Sequence, residues 1–345
     1  MGEPCCSSAT HEGAEVKQAF RYDLGDAALE SSLADGLAEV ETRLQVVVKS
    51  DDEFIAEAAS HLVDAGGKRF RPLLTLLAAQ LGNPSESAVR EAAVVVELTH
   101  LATLYHDDVM DEAPRRRGTE SANARWDNTV AILTGDFLFS RASDLLADLG
   151  PEAVRIQAKT FERLVTGQIH ETVGPDDGAD AVAHHLQVLA DKTGSLIATS
   201  GRFGAMFSGC DEATVELMTR YGERIGVAFQ LADDIVDVTS DGGQSGKTPG
   251  TDLREGILTL PALLAMQSTA HQDARLRELL SRPLPDDAEH AEALALLTAH
   301  PAVRQAQAVA REWADDARAA VAVLPQGPVR GAFEGLCDYV VSRTG

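Results

Sequence analysis

Apolar residues recur along most of this chain at intervals of three and four, the period of a helix with one buried face. From about Asp26 to Val48 they fall at Leu29, Leu33, Leu37, Val40, Leu44 and Val47. A second helix is expected after Ser50, read as its cap, and Gly66-Gly67 stops it. Further helices are expected at about 73–81, 86–112, 125–149, 151–172, 180–208 and 211–239, with four or five more towards the C-terminus. No strand-like alternation and no solenoid-length repeat is evident in the sequence, so the pattern predicts an all-α protein. Residues 1 to about 24 lack the period and read as a disordered leader. Residues 25–345 read as one helical domain.

Two of these helices end in acid. The helix at 86–112 is apolar until it reaches HDDVMDEAPRRRG, and the helix at 211–239 closes on FQLADDIVD. Asp107 and Asp111 are four residues apart, as are Asp233 and Asp237, which places each pair on one helical face. Bare carboxylates so placed repel unless a proton or a cation lies between them. Oxygen-only ligands suit Mg²⁺, usually held by one or two carboxylates and completed by substrate phosphates. A single D-D-x-x-D is commonly a solvated acidic turn. Its repetition on a second apolar helix is what points to a site, with Gln230 and Gly226 near the same face as Asp233 and Asp237.

Charge sharpens that reading. The 345 residues carry 54 acidic and 30 basic side chains, a formal net charge of −24, which disfavours non-specific binding to nucleic acid or anionic lipid. Clustered cations therefore ask for a specific explanation. One cluster is GGKRFRP, residues 66–72, with Lys68, Arg69 and Arg71. Its glycines let backbone amides approach an anion, and Pro72 can open the next helix. The other is Arg115, Arg116 and Arg117, which follow the first acidic motif and offer bidentate grips for phosphate oxygens. His100 lies about two turns below Asp107, on the face that also carries Val96 and Thr103.

Lys192, Thr193, Gly194 and Ser195 interrupt an apolar helical pattern, at the surface or at a pocket. The small residues around them suggest close packing or a bend. After the second acidic motif, SDGGQSGKTPGTDLREG forms a polar, glycine-rich loop with Lys247, long enough to serve as a lid. Asp176 and Asp177 sit between glycine and proline with no helix to fix them, and read as a solvated loop. Cys5, Cys6, Cys210 and Cys337 show neither a disulfide framework nor zinc spacing, which favours a reducing cytoplasm. The N-terminus lacks the pattern of a signal peptide. No apolar run reaches the roughly 18 residues of a membrane span, the best being broken by Glu97.

Taken in order, GGKRFRP, ELTHLATLYHDDVMDEAPRRRG, GDFLFSRA, KTGSL, FQLADDIVD and GKTPGTDL resemble the trans-isoprenyl (polyprenyl) diphosphate synthase family over roughly residues 60–265. The resemblance implies a single-domain helical bundle of the isoprenoid synthase type. In such a bundle the two aspartate motifs face each other at the mouth of a central elongated cavity, and two copies form a homodimer. It implies that Asp107 and Asp111 hold Mg²⁺ bound by an allylic diphosphate. Asp233, with Asp237 through water, would hold a further ion, for about three per site. Lys68, Arg71, His100 and Arg117 match positions that grip isopentenyl diphosphate. Arg116, Lys192 and Lys247 match those that reach the allylic diphosphate. Thr193 and Gln230 match polar contacts near the ionising carbon, so Lys192, Thr193 and Gln230 are the candidate catalytic residues. Many members carry lysine after glycine where this chain has Gly256-Ile257, which puts one diphosphate contact in doubt.

In that family a bulky aromatic four or five residues before the first aspartate closes the cavity. Here those positions are Thr103 and Ala102, both small, so a long-chain all-trans product is expected, heptaprenyl to decaprenyl, for a quinone side chain. Tyr105, Phe137 or Phe139 could close the cavity instead, giving a geranylgeranyl or farnesyl product. Two other readings compete. A terpene cyclase would need no isopentenyl site, so GGKRFRP and Arg116-Arg117 argue against it. A regulatory subunit of a heteromeric synthase would be expected to lose metal ligands, and both motifs are whole. The resemblance leaves room for peripheral membrane contact when product is released.

Overall fold

A computed structural model describes residues 24–240 and 249–343. Their fold is a helical bundle, and local chemistry explains where its helices start. α1 (Ala27–Val47) is capped by Asp26, whose carboxylate accepts from the Leu29 amide at 2.8 Å. α2 (Glu53–Asp64) is capped by Asp52, whose carboxylate accepts from the Phe54 and Ile55 amides. Ser50, expected to be that cap, instead accepts from the Asp52 amide at 3.2 Å. α3 (Phe70–Ala79) begins two residues before Pro72, and α4 (Ser87–Met110) is buried over most of its circumference. A helix apolar all round belongs at the centre of a bundle. α4 lies against α1, α3, α6 (Asn128–Leu149) and α9 (Ser195–Phe207).

Between α4 and α6 the chain forms a hairpin and then α5 (Ala122–Arg125). β1 (Arg115–Arg116) and β2 (Thr119–Glu120) pair antiparallel, with Arg116 opposite Thr119. The two linking residues both have positive φ, 52° at Arg117 and 80° at Gly118. Two consecutive positive φ values are the backbone of a type I′ turn, whose twist suits a tight hairpin. The sequence pattern predicted only a loop here, because strands of two residues are too short to show alternation. The hairpin points Arg115 outward and leaves Arg116 and Arg117 half-buried.

The helix expected at 180–208 is three pieces. α8 (Ala181–Leu189) runs into a π-helical turn at Ala190–Gly194, and α9 continues from it. Such turns insert an extra residue and are frequent at functional sites. α7 (Pro151–Val173) presses on this turn, since a β-carbon added at Gly167 would lie 2.6 Å from the Lys192 amide nitrogen. α10 (Glu212–Thr239) packs on α9 and on α15 (Pro301–Val321). α15 turns Ala302, Ala306, Ala310, Ala314 and Ala317 inward, small residues that allow close approach. The remaining helices are α11 (Thr251–Glu255), α12 (Leu260–Met266), α13 (Ala274–Leu280), α14 (Asp287–Ala299) and α16 (Pro328–Ser342). No helix among the described residues is long and apolar enough to cross a membrane. The expected leader and the glycine-rich loop with Lys247 lie outside the described residues, apart from Leu24, Ser240 and the loop's end after Thr248.

Candidate active site

Both acidic motifs lie at helix C-termini. α4 ends at Met110 with Asp111 as its cap residue, and α10 ends two residues after Asp237. A helix C-terminus carries the negative end of the macrodipole, so each site concentrates negative potential and favours cations. Asp108 is fully buried, Asp107 is half-buried and Asp111 is exposed. Asp108 accepts from Arg116 Nε, and Arg116 Nη2 lies 3.5 Å from Asp111 Oδ2. Burial pushes the Asp107 carboxyl up to about 6; Lys192 and Arg116 oppose the rise and Asp111 adds to it. That carboxylate is an anion short of compensation, and its partners are hard oxygens. The donor set therefore fits a hard divalent ion such as Mg²⁺. Among the described residues no group of three or more acidic, histidine or cysteine side chains is arranged to hold a metal by itself.

The second motif is arranged differently. Asp234 is buried, accepts from Gln230 Nε2 at 3.0 Å and lies 3.4 Å from His185 Nε2. Asp233 is half-buried and accepts from Arg343, near the end of α16. Asp237 accepts from the Asp252 amide at 3.4 Å, and its own carbonyl accepts from the Gly250 amide at 2.8 Å. The π-turn links the two motifs. Lys192 Nζ is paired with Glu171 of α7 and acts electrostatically on Asp107. Its neighbour Thr193 donates to Gln230 Oε1 at 3.4 Å.

The basic residues gather around Glu97, within electrostatic reach of Asp107. Arg69 and Arg117 both adopt left-handed backbone, φ 47° and 52°, a conformation costing about 1 kcal/mol outside glycine. Contacts hold them there. Arg69 is buried, pairs with Glu97 at 2.8 Å and Glu41 at 2.8 Å, and donates to the Val63 carbonyl. Arg117 donates to the Leu62 and Gly66 carbonyls and lies 3.7 Å from Glu97. A β-carbon on Gly67, whose φ is 149°, would lie 2.9 Å from the Arg117 Cζ, so a side chain there would both strain the backbone and push the guanidinium aside. Arg71 is pushed down to about 10 by burial and by Arg117, against the pull of Glu97 and Asp107. It stays cationic near neutrality. Desolvation and the surrounding Arg71, Arg117, Arg69 and Arg116 hold His100 well below the ordinary imidazole range, so its ring is neutral. Lys68 Nζ lies 5.7 Å from the centroid of Phe229, and the Arg343 guanidinium 4.9 Å from the same ring. Phe229 stacks on Phe70 at 5.1 Å, which fixes that platform.

Of the residues singled out in the sequence, Arg71, Arg116 and Arg117 act electrostatically on His100, and Asp107 is coupled to Arg71 and Arg116. Lys192 acts on Asp107, and its neighbour Thr193 meets Gln230, which donates to Asp234 of the second acidic motif. Lys247 lies outside the described residues. Ala102 is fully buried, with its carbonyl 3.0 Å from a β-carbon placed on Gly135 of α6, and Thr103 donates to the His100 carbonyl. Tyr105 donates to the Ala58 carbonyl and so turns towards α2. Phe139 packs on Phe161 and His106. Sequence reading missed Glu41, Glu97 and Asp108, the acids that seat the arginines, and also Glu171, His185 and Arg343. A lone acid in an apolar run, as at Glu97, was an available signal. Arg343, more than a hundred residues from Asp233, gave none.

The polyprenyl synthetase family model matches residues 52–297. This chain belongs to the polyprenyl synthetase family. It is 52% identical over 324 residues to nonaprenyl diphosphate synthase of Mycobacterium tuberculosis, covering 94% of this chain and 97% of that one. Among solved structures it resembles geranylgeranyl pyrophosphate synthase of Corynebacterium glutamicum, crystallised with calcium and isoprenyl diphosphate. The TM-score is 0.85 at 43% identity, covering 94% of this chain and all of that one. It also resembles decaprenyl diphosphate synthase of Rhodobacter capsulatus, with a TM-score of 0.82 at 34% identity, covering 92% and 99%. A polyprenyl synthetase is a prenyltransferase with an all-α fold, and both expectations from the sequence hold.

Proposed function

We propose that this polyprenyl synthetase condenses isopentenyl diphosphate head-to-tail with an allylic diphosphate to give a long-chain all-trans polyprenyl diphosphate, heptaprenyl to decaprenyl, for a quinone side chain. The observation that carries the reading is the π-turn. Through Lys192 and Thr193 it ties both carboxylate helices to one site rimmed by arginines. Asp107, Asp111, Asp233 and Asp237 would hold Mg²⁺, which when bound screens the departing diphosphate. Arg116 and Lys192, with Lys247 from outside the described residues, orient the allylic diphosphate. Lys68, Arg71, His100 and Arg117 seat isopentenyl diphosphate. Neutral His100 offers a hydrogen bond without adding charge among four arginines. As the allylic carbon–oxygen bond breaks, the Thr193 and Gln230 oxygens face the developing cation and stabilise it without bonding to it. The isopentenyl double bond attacks, and a proton then leaves to the released diphosphate.

Three features support the long product: small Ala102 and Thr103, Tyr105 turned towards α2, and the identity to a nonaprenyl synthase. The C. glutamicum relative favours a second reading, a geranylgeranyl product. Mass analysis of products from labelled isopentenyl diphosphate, Mg²⁺ and each common allylic primer separates the two, and hydrocarbon from a primer alone would instead mark a cyclase. Ala102→Phe should shorten the product by several units; an unchanged product would remove Ala102 from the wall of the cavity.

Residues 25–345 form one domain in this reading, and two copies pair in the cytoplasm. Exposed Ile132 and Leu133 on α6 and Val165 and Ile169 on α7 supply an apolar face for that pairing. Light scattering on the purified chain tests it. Peripheral membrane contact would serve release of the apolar product.

A further inference from the structure

A second cationic site lies low on the flank of α7. A cavity of about 140 Å³ is lined by Arg155, Lys159 and Arg163 of α7, Arg202 of α9 and the buried hydroxyl pair Thr160–Thr199, 2.6 Å apart. Four cations meet one acid, Glu152, in this lining, whereas the chain as a whole carries 54 acidic and 30 basic residues. Arg163 is committed to Asp191 at 2.8 Å and Glu223 at 2.9 Å. Arg155 makes only an exposed contact with Glu152 at 3.7 Å. Among the described residues Lys159 and Arg202 form no ion pair, and Arg202 Nε is buried without a hydrogen-bond partner. An unpaired buried guanidinium donor is costly and calls for an acceptor.

This cavity is not the catalytic one. On α7, Lys159 is three turns from Glu171, the partner of Lys192, or about 18 Å at 1.5 Å per residue. Lys159 and Arg163 lie about 80–160° around α7 from Val165 and Ile169, whereas Arg155 is only about 40° around from Ile169 and is separated from it by about four turns along the axis. At about 140 Å³ it is smaller than the roughly 300–1,000 Å³ of pockets that enclose drug-sized ligands. A compact anion fits its chemistry: guanidinium and ammonium groups line it, while the Thr160 and Thr199 hydroxyls are already engaged with the Ile156 and Ser195 carbonyls and with each other. We propose that this cavity binds a phosphate or diphosphate group, either as the free anion or as the head of a phosphorylated lipid.

The test uses the whole chain. Inorganic diphosphate is titrated calorimetrically with Mg²⁺ present, using wild type, Lys159→Glu and Asp107→Asn. The expected result is two classes of site in wild type. Lys159→Glu, an exposed change that leaves the core alone, should weaken one class at least tenfold and retain the metal-dependent class. Asp107→Asn should do the reverse. Arg202→Met should match Lys159→Glu, with circular dichroism reporting whether it folds. A parallel arm measures sedimentation with vesicles of anionic or neutral phospholipid. Wild type, but not Lys159→Glu, sedimenting with anionic vesicles while free diphosphate binds only the metal-dependent class would assign the group to a lipid head. Identical behaviour of wild type and Lys159→Glu in both arms would overturn the proposal.

Discussion

The two acidic motifs share a spacing and a place at a helix C-terminus, yet the protein neutralises them differently. In the first, the buried middle aspartate, Asp108, holds Arg116, while Asp107 is left short of positive charge and rises to about 6. In the second, the buried middle aspartate, Asp234, is met by Gln230 and His185, and the outward Asp233 is already covered by Arg343. In both, the middle carboxylate is buried against its neighbours, while the outer two are half-buried or exposed. If the first motif binds a metal as proposed, that ion would compensate Asp107. In the second, a metal would have to displace Arg343 from Asp233. Identical spacing thus leads to two electrostatic situations, because partners come from elsewhere in the chain.

The sharpest way to break this comparison is Asp107→Asn. Turnover should fall about 10³-fold, the scale of losing a preorganised electrostatic partner. The metal-free protein at neutral pH should melt a few degrees higher, because a poorly compensated charge has gone. Steady-state kinetics and a melting curve without metal check both, and a lower metal-free melting temperature would contradict the account of Asp107.

Next in size, Asp108→Ala leaves Arg116 without its buried partner and should cost about 3 kcal/mol of stability in denaturant unfolding. Asp111→Ala, exposed, should cost far less. Equal losses would mean that the inward and outward aspartates do not differ.

The pH dependence follows from Asp107. An acid raised in the folded state favours folding while protonated. Its contribution is therefore present below the ordinary carboxylate range and is lost as pH rises through about 6. Metal binding has the opposite sign, since the proton competes with the ion. Apparent Mg²⁺ affinity should weaken up to tenfold per unit as pH falls below about 6. A flat profile from pH 7 to 5 would remove Asp107 from the metal site.

The smallest effect is expected at Arg343→Met. Freeing Asp233 should raise Mg²⁺ affinity in the absence of substrate about threefold, consistent with a partly exposed ion pair worth less than about 1 kcal/mol. Calorimetry on both proteins reads this, and weaker metal binding in the variant would show that Arg343 orients Asp233 instead of competing for it.

Much of this was legible before the fold was known. Leucine and valine periodicity placed the long helices within a few residues, because burial of one face sets that period. The acidic spacings and the scarcity of cations singled out the residues of the proposed site. What escaped was non-local or too short for a period. The hairpin that sets Arg116 and Arg117 has two-residue strands, and its turn depends on positive φ at an arginine. The acids seating Arg69 and Arg117 come from α1 and α4. The helix expected at 180–208 hid a π-turn, because one extra residue barely disturbs an apolar pattern.

That extra residue sets a phase. Removing one residue from Ala190–Gly194 would let α8 run into α9 as a regular helix. Everything before the deletion would then turn by about 100° relative to α9, given 3.6 residues per turn. Lys192 would swing away from Asp107, or α9 would lose its inward face. The same insertion that looks like an irregularity is thus the gear that keeps the Lys192 side and the packing side of one rod aimed in different directions.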